Sequence, residues 1–333
     1  MTVPKMTTHL LAYYRWNTRR SWRLNALKQG EESRSAIRYI NREVGVWKKY
    51  AEKDAVIWVV GLSPSRTPTL DARLHVDQVY VRTENRKNWR GVVGLRPRSC
   101  FFGLNDATEA MARIAFTNQR AKAWRLDPMD ASRAWSSQHG RRLQNPLRLA
   151  PEGDRIEGMA DSPGASPLVD LAKSATSHSV FVSYKHDDLE DRGSRAFLDQ
   201  LASELARKGL AVWLDRIALE GTGGEKRQME SDRTITELLR QGLDQSRVVV
   251  GVWSDNYGTP SALDGENWTR TEWHGGRPGK KRIALDMSPT SRKVEGLKKP
   301  HARVRLPEAL DPSQSEAVAD EIMRACRPFW KKE

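Results

Sequence analysis

Ser179-Val180-Phe181-Val182-Ser183-Tyr184 is a short, mostly apolar run, and it decides the fold that we expect for the second half of this 333-residue chain. Such a run is typical of a strand in a parallel sheet that is covered on both faces. Further runs predict four more strands: residues 210–215, 248–254, 282–285 and 302–306. Apolar residues at helical spacing predict three helices: residues 193–208, 234–242 and 313–328. This alternation predicts a doubly wound α/β domain of flavodoxin-like order with five parallel strands.

The polar residues that follow the predicted strands are candidate binding groups, because ligands of doubly wound sheets bind beyond the carboxyl ends of the strands. They are Tyr184, Lys185, His186 and Asp187 after the first strand, Asp215 after the second, and the residues from Ser254 through Tyr257 and Trp268 to Glu272 after the third. The histidines are scattered, so no metal site is predicted. The chain carries neither a Walker-type phosphate loop nor a Gly-x-Gly-x-x-Gly after a strand.

The segment Asn267-Trp268-Thr269-Arg270-Thr271-Glu272-Trp273 places a carboxylate four residues after a tryptophan. In a helix, Trp268 and Glu272 lie on one face, one turn apart. A carboxylate beside an indole near the end of a buried strand can serve as a catalytic group. Spacing alone is more typical of an ordinary amphipathic helix with a surface glutamate, so the catalytic interpretation depends on the segments that precede this one.

Those segments resemble Toll/interleukin-1 receptor (TIR) domains, in the family's order, over about residues 177–330. Residues 180–184 with the following 185–188 are similar to the family's first box, and residues 209–215 to its second conserved segment. Residues 246–254, followed by Asn256-Tyr257, are similar to its third strand, and Trp268 to Glu272 matches its Trp-x-x-x-Glu segment. Some members of the family are scaffolds that assemble through like domains. Others, common in bacterial defence, cleave NAD at the nicotinamide–ribose bond.

The resemblance implies an enzyme, because the glutamate of Trp-x-x-x-Glu carries the chemistry of the NAD-cleaving members and scaffolds usually lack it. Glu272 would then be catalytic, with NAD+ as the substrate and no cofactor. Trp268 would pack beneath Glu272. Tyr184, Lys185 and His186 would line the mouth of the site, with the cations facing the diphosphate.

Two departures from the family pattern leave the product open. Asn267 stands where the family often has a small residue or a cysteine, and the insert at residues 259–266 is long. Hydrolysis of NAD and formation of a cyclic ADP-ribose signal therefore both remain alternatives, as does a scaffold or signalling adaptor without catalysis.

The positive charge of the chain lies in its first half. The net charge is +14, and residues 1–150 hold 28 Lys and Arg against 12 Asp and Glu, while the remainder is close to neutral. This asymmetry favours a polyanionic partner, most simply nucleic acid. Basic surfaces also aid solubility or meet acidic proteins, so another ligand stays an alternative. Aromatic residues interleaved with arginines near the start suggest three nucleic-acid contacts: Tyr14, Trp16 and Asn17.

The first half mixes helices and strands. Residues 31–50 predict a polar helix followed by a turn, residues 55–60 and 70–80 predict two antiparallel strands, and a helix is expected to start near Asn105 or Asp106. Four stretches, residues 54–60, 70–79, 101–109 and 140–149, resemble the EVE-type branch of the PUA-like superfamily. The resemblance implies an α+β small barrel that binds nucleic acid.

Composition predicts the remaining organisation. Residues 151–178 are rich in Pro, Gly, Ser and Asp and predict a linker between a domain at 1–150 and a TIR domain at 179–333.

Two distant cysteines, Cys100 and Cys326, favour a reduced, cytoplasmic location. No apolar run approaches a membrane span, so no membrane partner is expected. Together these expectations describe an antiphage or cell-suicide immune effector: the first half senses a ligand, TIR domains self-associate, and NAD is cleaved.

Overall fold

The computed structural model describes the protein in two compact units, and each is treated by itself. The first unit holds the described residues of Met1–Phe102, Asp106–Lys173 and Gly221–Thr234, and the second those of Gly103–Asn105, Ser174–Glu220 and Ile235–Glu333. The structure describes these ranges: 7–13, 36–63, 67–95, 98–117, 123–125, 146–150, 164–185, 188–189, 192–214, 232–260, 267–276, 278–287, 296–306 and 310–330.

In its described residues, the first unit has ten strands and two short helices. The strands are β1 His9–Tyr13, β2 Ala36–Arg42, β3 Val56–Leu62, β4 Pro68–His75, β5 Gln78–Glu84, β6 Lys87–Leu95, β7 Cys100–Phe101, β8 Ala115–Thr117, β9 Ala123–Arg125 and β10 Leu147–Leu149. The helices are α1 Gly45–Tyr50 and α2 Thr108–Arg113. Seven strands form one sheet in the order β7-β4-β3-β1-β10-β8-β9, and three form another in the order β2-β6-β5.

The larger sheet contains the antiparallel pair that the sequence predicts. Strands β3 and β4 pair antiparallel, and β1 adds to β3 in parallel. Its core is apolar, with Ile57, Leu70 and Phe116 fully buried. Within the described residues β7 and β9 end the strand order, so the predicted small barrel stays a prediction.

Two predictions for the first unit are wrong. Residues 36–42 form β2 instead of a helix, because all seven pair with β6, from Leu95 to Trp89, and because Ile37 and Tyr39 alternate into the interior. The strand predicted over residues 70–80 is divided at residues 76–77 into β4 and β5, which belong to different sheets. The helix predicted near Asp106 is α2, and the Asp106 carboxylate accepts from the Thr108 backbone N–H at 2.8 Å.

The second unit is an α/β layer structure. Its strands are β11 Ser179–Tyr184, β12 Ala211–Leu214, β13 Val248–Trp253, β14 Lys281–Asp286 and β15 Ala302–Arg305. Its helices are α3 Ser166–Ser177, α4 Arg192–Arg207, α5 Asp232–Gln245, α6 Trp268–His274 and α7 Ser315–Trp330, which a 3-10 turn, Pro312–Gln314, precedes. Helices α3 and α5 both start in the first unit's range. Helix α3 lies inside the segment that composition predicts as a linker, and its Leu168, Ala172 and Ala175 are buried.

All five strands are parallel, in the order β12-β11-β13-β14-β15, which confirms the predicted sheet. Strands β11 and β13 are buried at every position, as expected for a sheet covered on both faces. The chain leaves β11 for β12 on one side and returns to β13 on the other. The topological switch point therefore lies between the carboxyl ends of β11 and β13.

Candidate active site

Helix α6 carries the Trp-x-x-x-Glu segment, and its local sequence explains why it forms. Asn267 caps it, since its side-chain oxygen accepts from the Arg270 backbone N–H at 3.0 Å. The buried residues Thr269, Glu272 and Trp273 face the interior, and the helix packs against β11 and β13. The predicted helix is thus present, but its glutamate is not on the surface.

Glu272 is 8% exposed and is held from the carboxyl end of β11. The hydroxyl of Ser183, on β11, donates to Glu272 Oε2 at 2.6 Å. The hydroxyl of Tyr257, in the turn after β13, donates in its turn to Ser183 Oγ at 2.8 Å. A distance of about 2.5–2.7 Å is typical of an O–H group that donates to a carboxylate. The two strands at the switch point therefore deliver one hydrogen-bonded chain that ends on this carboxylate.

The direction of the chain follows from the protonation of Tyr257. Burial raises the pKa of the Tyr257 hydroxyl, the Glu272 charge raises it further, and the hydrogen bond to Ser183 opposes both effects. The phenol therefore stays protonated at neutral pH and donates. Because Ser183 has a single hydroxyl proton and already accepts from Tyr257, that proton is directed to Glu272.

Aromatic rings surround the carboxylate-bearing helix. Trp273 is fully buried and meets the Trp253 ring edge-on at 5.2 Å between centroids and the Tyr257 ring at 6.1 Å. A Cβ at Gly251 would lie 2.7 Å from the Trp273 ring and 2.8 Å from the Tyr257 hydroxyl. Glycine at this β13 position is therefore what lets both rings approach the strand. The indole N–H of Trp273 donates to the Lys298 carbonyl at 2.8 Å, which fixes the ring.

Arg282 closes the other end of α6. It lies on β14, is 7% exposed, and donates to the carbonyls of Trp273 and His274, the last residues of the helix. A cation at a helix C-terminus complements the helix dipole. Burial lowers the pKa of the guanidinium, and its interaction with Tyr257 opposes that shift. The helix is thus secured at Asn267 by its cap and at its carboxyl end by Arg282.

Lys185 is used inside the protein. Its ammonium donates to the Thr259 carbonyl at 2.9 Å, the Thr259 hydroxyl at 3.1 Å and the Pro260 carbonyl at 2.7 Å. Three donors thus meet three acceptors. Lys185 anchors the segment that follows Tyr257, and we infer this positioning role rather than a direct contact with a diphosphate.

Ser254 lies in a second cluster of hydrogen bonds beyond β13. Asp188 accepts from the Ser254 hydroxyl, from the Asn256 side chain at 2.9 Å and from the Asn256 backbone N–H at 3.3 Å. The carboxylate joins the chain beyond β11 to the turn beyond β13. It therefore stabilises the rim of the switch point.

The other predicted residues divide into two groups. Tyr184 is the last residue of β11 and is 6% exposed, and Trp268 is half-buried one turn before Glu272. Outside the described residues lie His186, Asp187, Asp215, Tyr14, Trp16 and Asn17, and their assignments stay predictions.

Sequence reasoning missed Ser183 and Arg282 as parts of the site. A serine inside an apolar strand is a usable signal, because a buried hydroxyl needs a partner. An arginine at the start of a buried strand is a similar signal.

The described part of the chain shows neither a metal-binding cluster nor a membrane-crossing helix. No group of three or more His, Cys, Asp or Glu side chains in this part of the chain is arranged to hold a metal ion. None of the described helices has the length and apolar character that a membrane-crossing helix needs.

Comparisons with known proteins identify the second unit. No curated protein matches the chain. Residues 180–307 match a protein-family model described as TIR domain. That range contains all five parallel strands except the first residue of β11, and it contains the whole of α6 with Glu272. The second half of this chain therefore carries a TIR domain at residues 180–307.

Proposed function

We propose that this protein is an NAD+ nucleohydrolase that cleaves the nicotinamide–ribose bond and that Glu272 is its catalytic residue. The observation that carries the proposal is the Glu272 carboxylate itself. In a TIR domain, it lies almost buried at the switch point of the sheet and is held there by Ser183. TIR domains include both signalling proteins and NAD-cleaving enzymes, and a surface glutamate would favour neither class.

The chemistry follows from charge. When the bond between ribose C1′ and the nicotinamide nitrogen breaks, its electron pair leaves with nicotinamide, and positive charge develops on the ribose. A preoriented carboxylate stabilises that charge most strongly where water is excluded. Attack of water on C1′, with loss of a proton, then gives ADP-ribose. Attack by a group of the same nucleotide gives the cyclic alternative.

The proposal extends to regulation. TIR domains commonly self-associate, and we propose that the basic first half senses a ligand and that assembly of the TIR domains then activates cleavage. The outcome in the cell is NAD depletion of the kind used in antiphage or cell-suicide defence. Tyr184, Trp268, His186 and Asp215 are the proposed contacts to NAD+, while Ser254 and Lys185 support the segment beyond β13.

The test is NAD loss on expression in a heterologous bacterium, where accumulation of the protein drives association. Wild-type protein should deplete cellular NAD, and Glu272→Gln, which keeps the size of the side chain, should not. Glu321→Gln, on the exposed side of α7, is the matched control and should behave as wild type. Equal depletion by Glu272→Gln would remove the catalytic assignment. If wild-type protein associates without depleting NAD, the scaffold alternative replaces the proposal. Mass spectrometry of the products separates ADP-ribose from a cyclic product.

A further inference from the structure

The three-stranded sheet of the first unit has one face that combines aromatic rings with cations. The registers of β2, β6 and β5 set Arg42, Trp89 and Arg82 directly opposite one another across the sheet. Residues that are directly opposite in antiparallel strands point to the same face. Two residues along, Tyr80 lies opposite Gly91, and at the hairpin end Lys87 lies opposite Glu84. We call the set of Arg42, Tyr80, Arg82, Lys87 and Trp89 the aromatic–basic face.

The opposite face of this sheet is the one that packs. Tyr39 and Val92 are buried there, and the Tyr39 ring meets Trp47 of α1 edge-on at 5.4 Å. The indole of Trp47 also donates to the Arg90 carbonyl at 2.9 Å. Since the residues of a strand alternate between faces, the aromatic–basic face is the other face of this sheet, and its residues Arg42, Tyr80, Arg82 and Lys87 are exposed.

The rings on the aromatic–basic face are presented to solvent. A Cβ at Gly91 would lie 2.1–2.5 Å from atoms of the Tyr80 ring, so the ring lies across the sheet in the place that a side chain at 91 would take. Tyr80 nevertheless stays 37% exposed. Trp89 is half-buried, diagonal to Tyr80 and flanked on both sides by an exposed arginine.

The charge of the face selects the chemistry of the partner. Its three cations, Arg42, Arg82 and Lys87, are exposed. The nearby acid is Glu84, which contacts Arg82 at 3.2 Å with both side chains more than half exposed, and such a pair is weak. Cations alone fit any polyanion. Exposed rings between cations favour unpaired bases, because each base can stack on a ring while a cation beside the ring neutralises its phosphate.

We propose that the aromatic–basic face binds single-stranded nucleic acid, with bases stacked on Tyr80 and Trp89 and phosphates held by Arg42, Arg82 and Lys87. This deepens the ligand-sensing part of the proposed function and rests on that part alone. A duplex hides its base faces and gains nothing from the two rings. The face is separate in sequence from Tyr14, Trp16 and Asn17.

The test is fluorescence anisotropy of the full-length protein with labelled oligothymidine and oligouridine of about 16 nucleotides, the upper site size of a single-strand-binding fold. A duplex of equal length is the comparison. Tyr80→Ala should weaken single-strand binding by about 5- to 150-fold, the range for losing one stacked base. It should leave the salt dependence unchanged.

Removing positive charge from the aromatic–basic face should instead change the salt dependence of binding. The double variant Arg82→Ala/Lys87→Ala should reduce the slope of log K against log salt by about 1.4, because each phosphate contact on a single strand contributes about 0.7. Lys53→Ala/Arg113→Ala is the matched control, since it removes two exposed cations of the same unit that lie outside this sheet. That control should retain the wild-type slope.

Three results would overturn the proposal. They are no single-strand binding at low salt, an unchanged affinity in a folded Tyr80→Ala variant, and equal slopes of log K against log salt for the two double variants. Weaker self-association of Tyr80→Ala without loss of nucleic-acid binding would assign the face to a second copy instead. Circular dichroism of each variant confirms folding. The assay contains no NAD, so its result is independent of whether Glu272 is catalytic.

Discussion

Replacing Ser183 by alanine removes the middle of the hydrogen-bonded chain from Tyr257 to Glu272. One bond of 2.8 Å and one of 2.6 Å disappear together. The change takes the Ser183 hydroxyl away from two groups: the hydroxyl of Tyr257, which is fully buried, and a carboxylate oxygen of Glu272, which is 8% exposed. An unsatisfied buried polar group costs about 1–3 kcal/mol. Because two such groups lose a partner, we expect Ser183→Ala to lower the free energy of unfolding by about 2–6 kcal/mol.

Tyr257→Phe should cost less. It deletes the hydroxyl and keeps the ring, so Ser183 still donates to Glu272, and the loss is that of one neutral hydrogen bond, about 0.5–1.5 kcal/mol. In the double variant no phenol is left to be stranded. Its cost should therefore fall short of the sum of the single variants by about 1 kcal/mol.

Amide hydrogen exchange of the full-length protein measures these values locally. Peptides that contain β11 and α6 report opening of the second unit alone, and a tenfold faster exchange corresponds to about 1.4 kcal/mol. A double variant whose cost equals the sum of the two single costs would contradict the hydrogen-bonded chain from Tyr257 to Glu272. A Ser183→Ala protein whose amides exchange at the wild-type rate would contradict it too.

The same variant separates positioning from folding. Ser183→Ala should slow NAD cleavage by about 10- to 150-fold if the lost bond to a charged group, worth about 1.5–3 kcal/mol, orients the carboxylate in the transition state. Ser179→Ala is the matched control on the same strand, because that buried hydroxyl bonds to the Gln245 carbonyl at 2.9 Å. It should lose stability and keep turnover.

Three further predictions concern residues around the site and in α7. Lys185→Met should lower the free energy of unfolding by about 1–2 kcal/mol and speed amide exchange at Gly258 and Thr259, because the ammonium's bonds to Thr259 and Pro260 are lost; unchanged exchange would contradict the anchoring role. Gly251→Ala should cost about 1–3 kcal/mol in urea denaturation, since the added carbon meets the Trp273 and Tyr257 side chains; a neutral effect would mean that these rings can shift. Burial raises the pKa of Cys326 from 9.0 to about 12, so the folded state holds a proton that the unfolded state releases. Stability should therefore be complete below pH 9 and fall by up to about 1.4 kcal/mol per pH unit above it. Cys326→Ala should flatten that slope, and a slope shared with wild type would assign the loss to other groups.

The strands of the second unit could be predicted because four of them are largely apolar runs and the fifth alternates apolar residues with arginine. The run at residues 248–254 corresponds to β13, Val248–Trp253, and the weakest run, at 302–306, to β15, Ala302–Arg305. Helix α6 could be predicted from its spacing. Burial of Glu272 could not, because it depends on β11 and on the turn beyond β13, which are distant in sequence.

The sequence does not predict which way a polar side chain at the end of a strand points. Lys185 follows β11 and has the charge to meet a diphosphate, yet its ammonium reaches back to the Thr259 and Pro260 segment. Strand β2 lies within residues 31–50, which taken together predict a polar helix followed by a turn. Its pairing with β6 is a long-range contact that overrides local propensity. The boundaries at residues 150 and 178 stay predictions.

The most direct test of the central claim measures nicotinamide release from NAD+ by chromatography. The purified full-length protein is used at a concentration at which it self-associates. Wild-type protein and Glu321→Gln should release nicotinamide and ADP-ribose or its cyclic form at equal rates. Glu272→Gln should release none above the uncatalysed background while it self-associates as wild type does. Nicotinamide release by Glu272→Gln at the wild-type rate would contradict the assignment of Glu272 as the catalytic carboxylate.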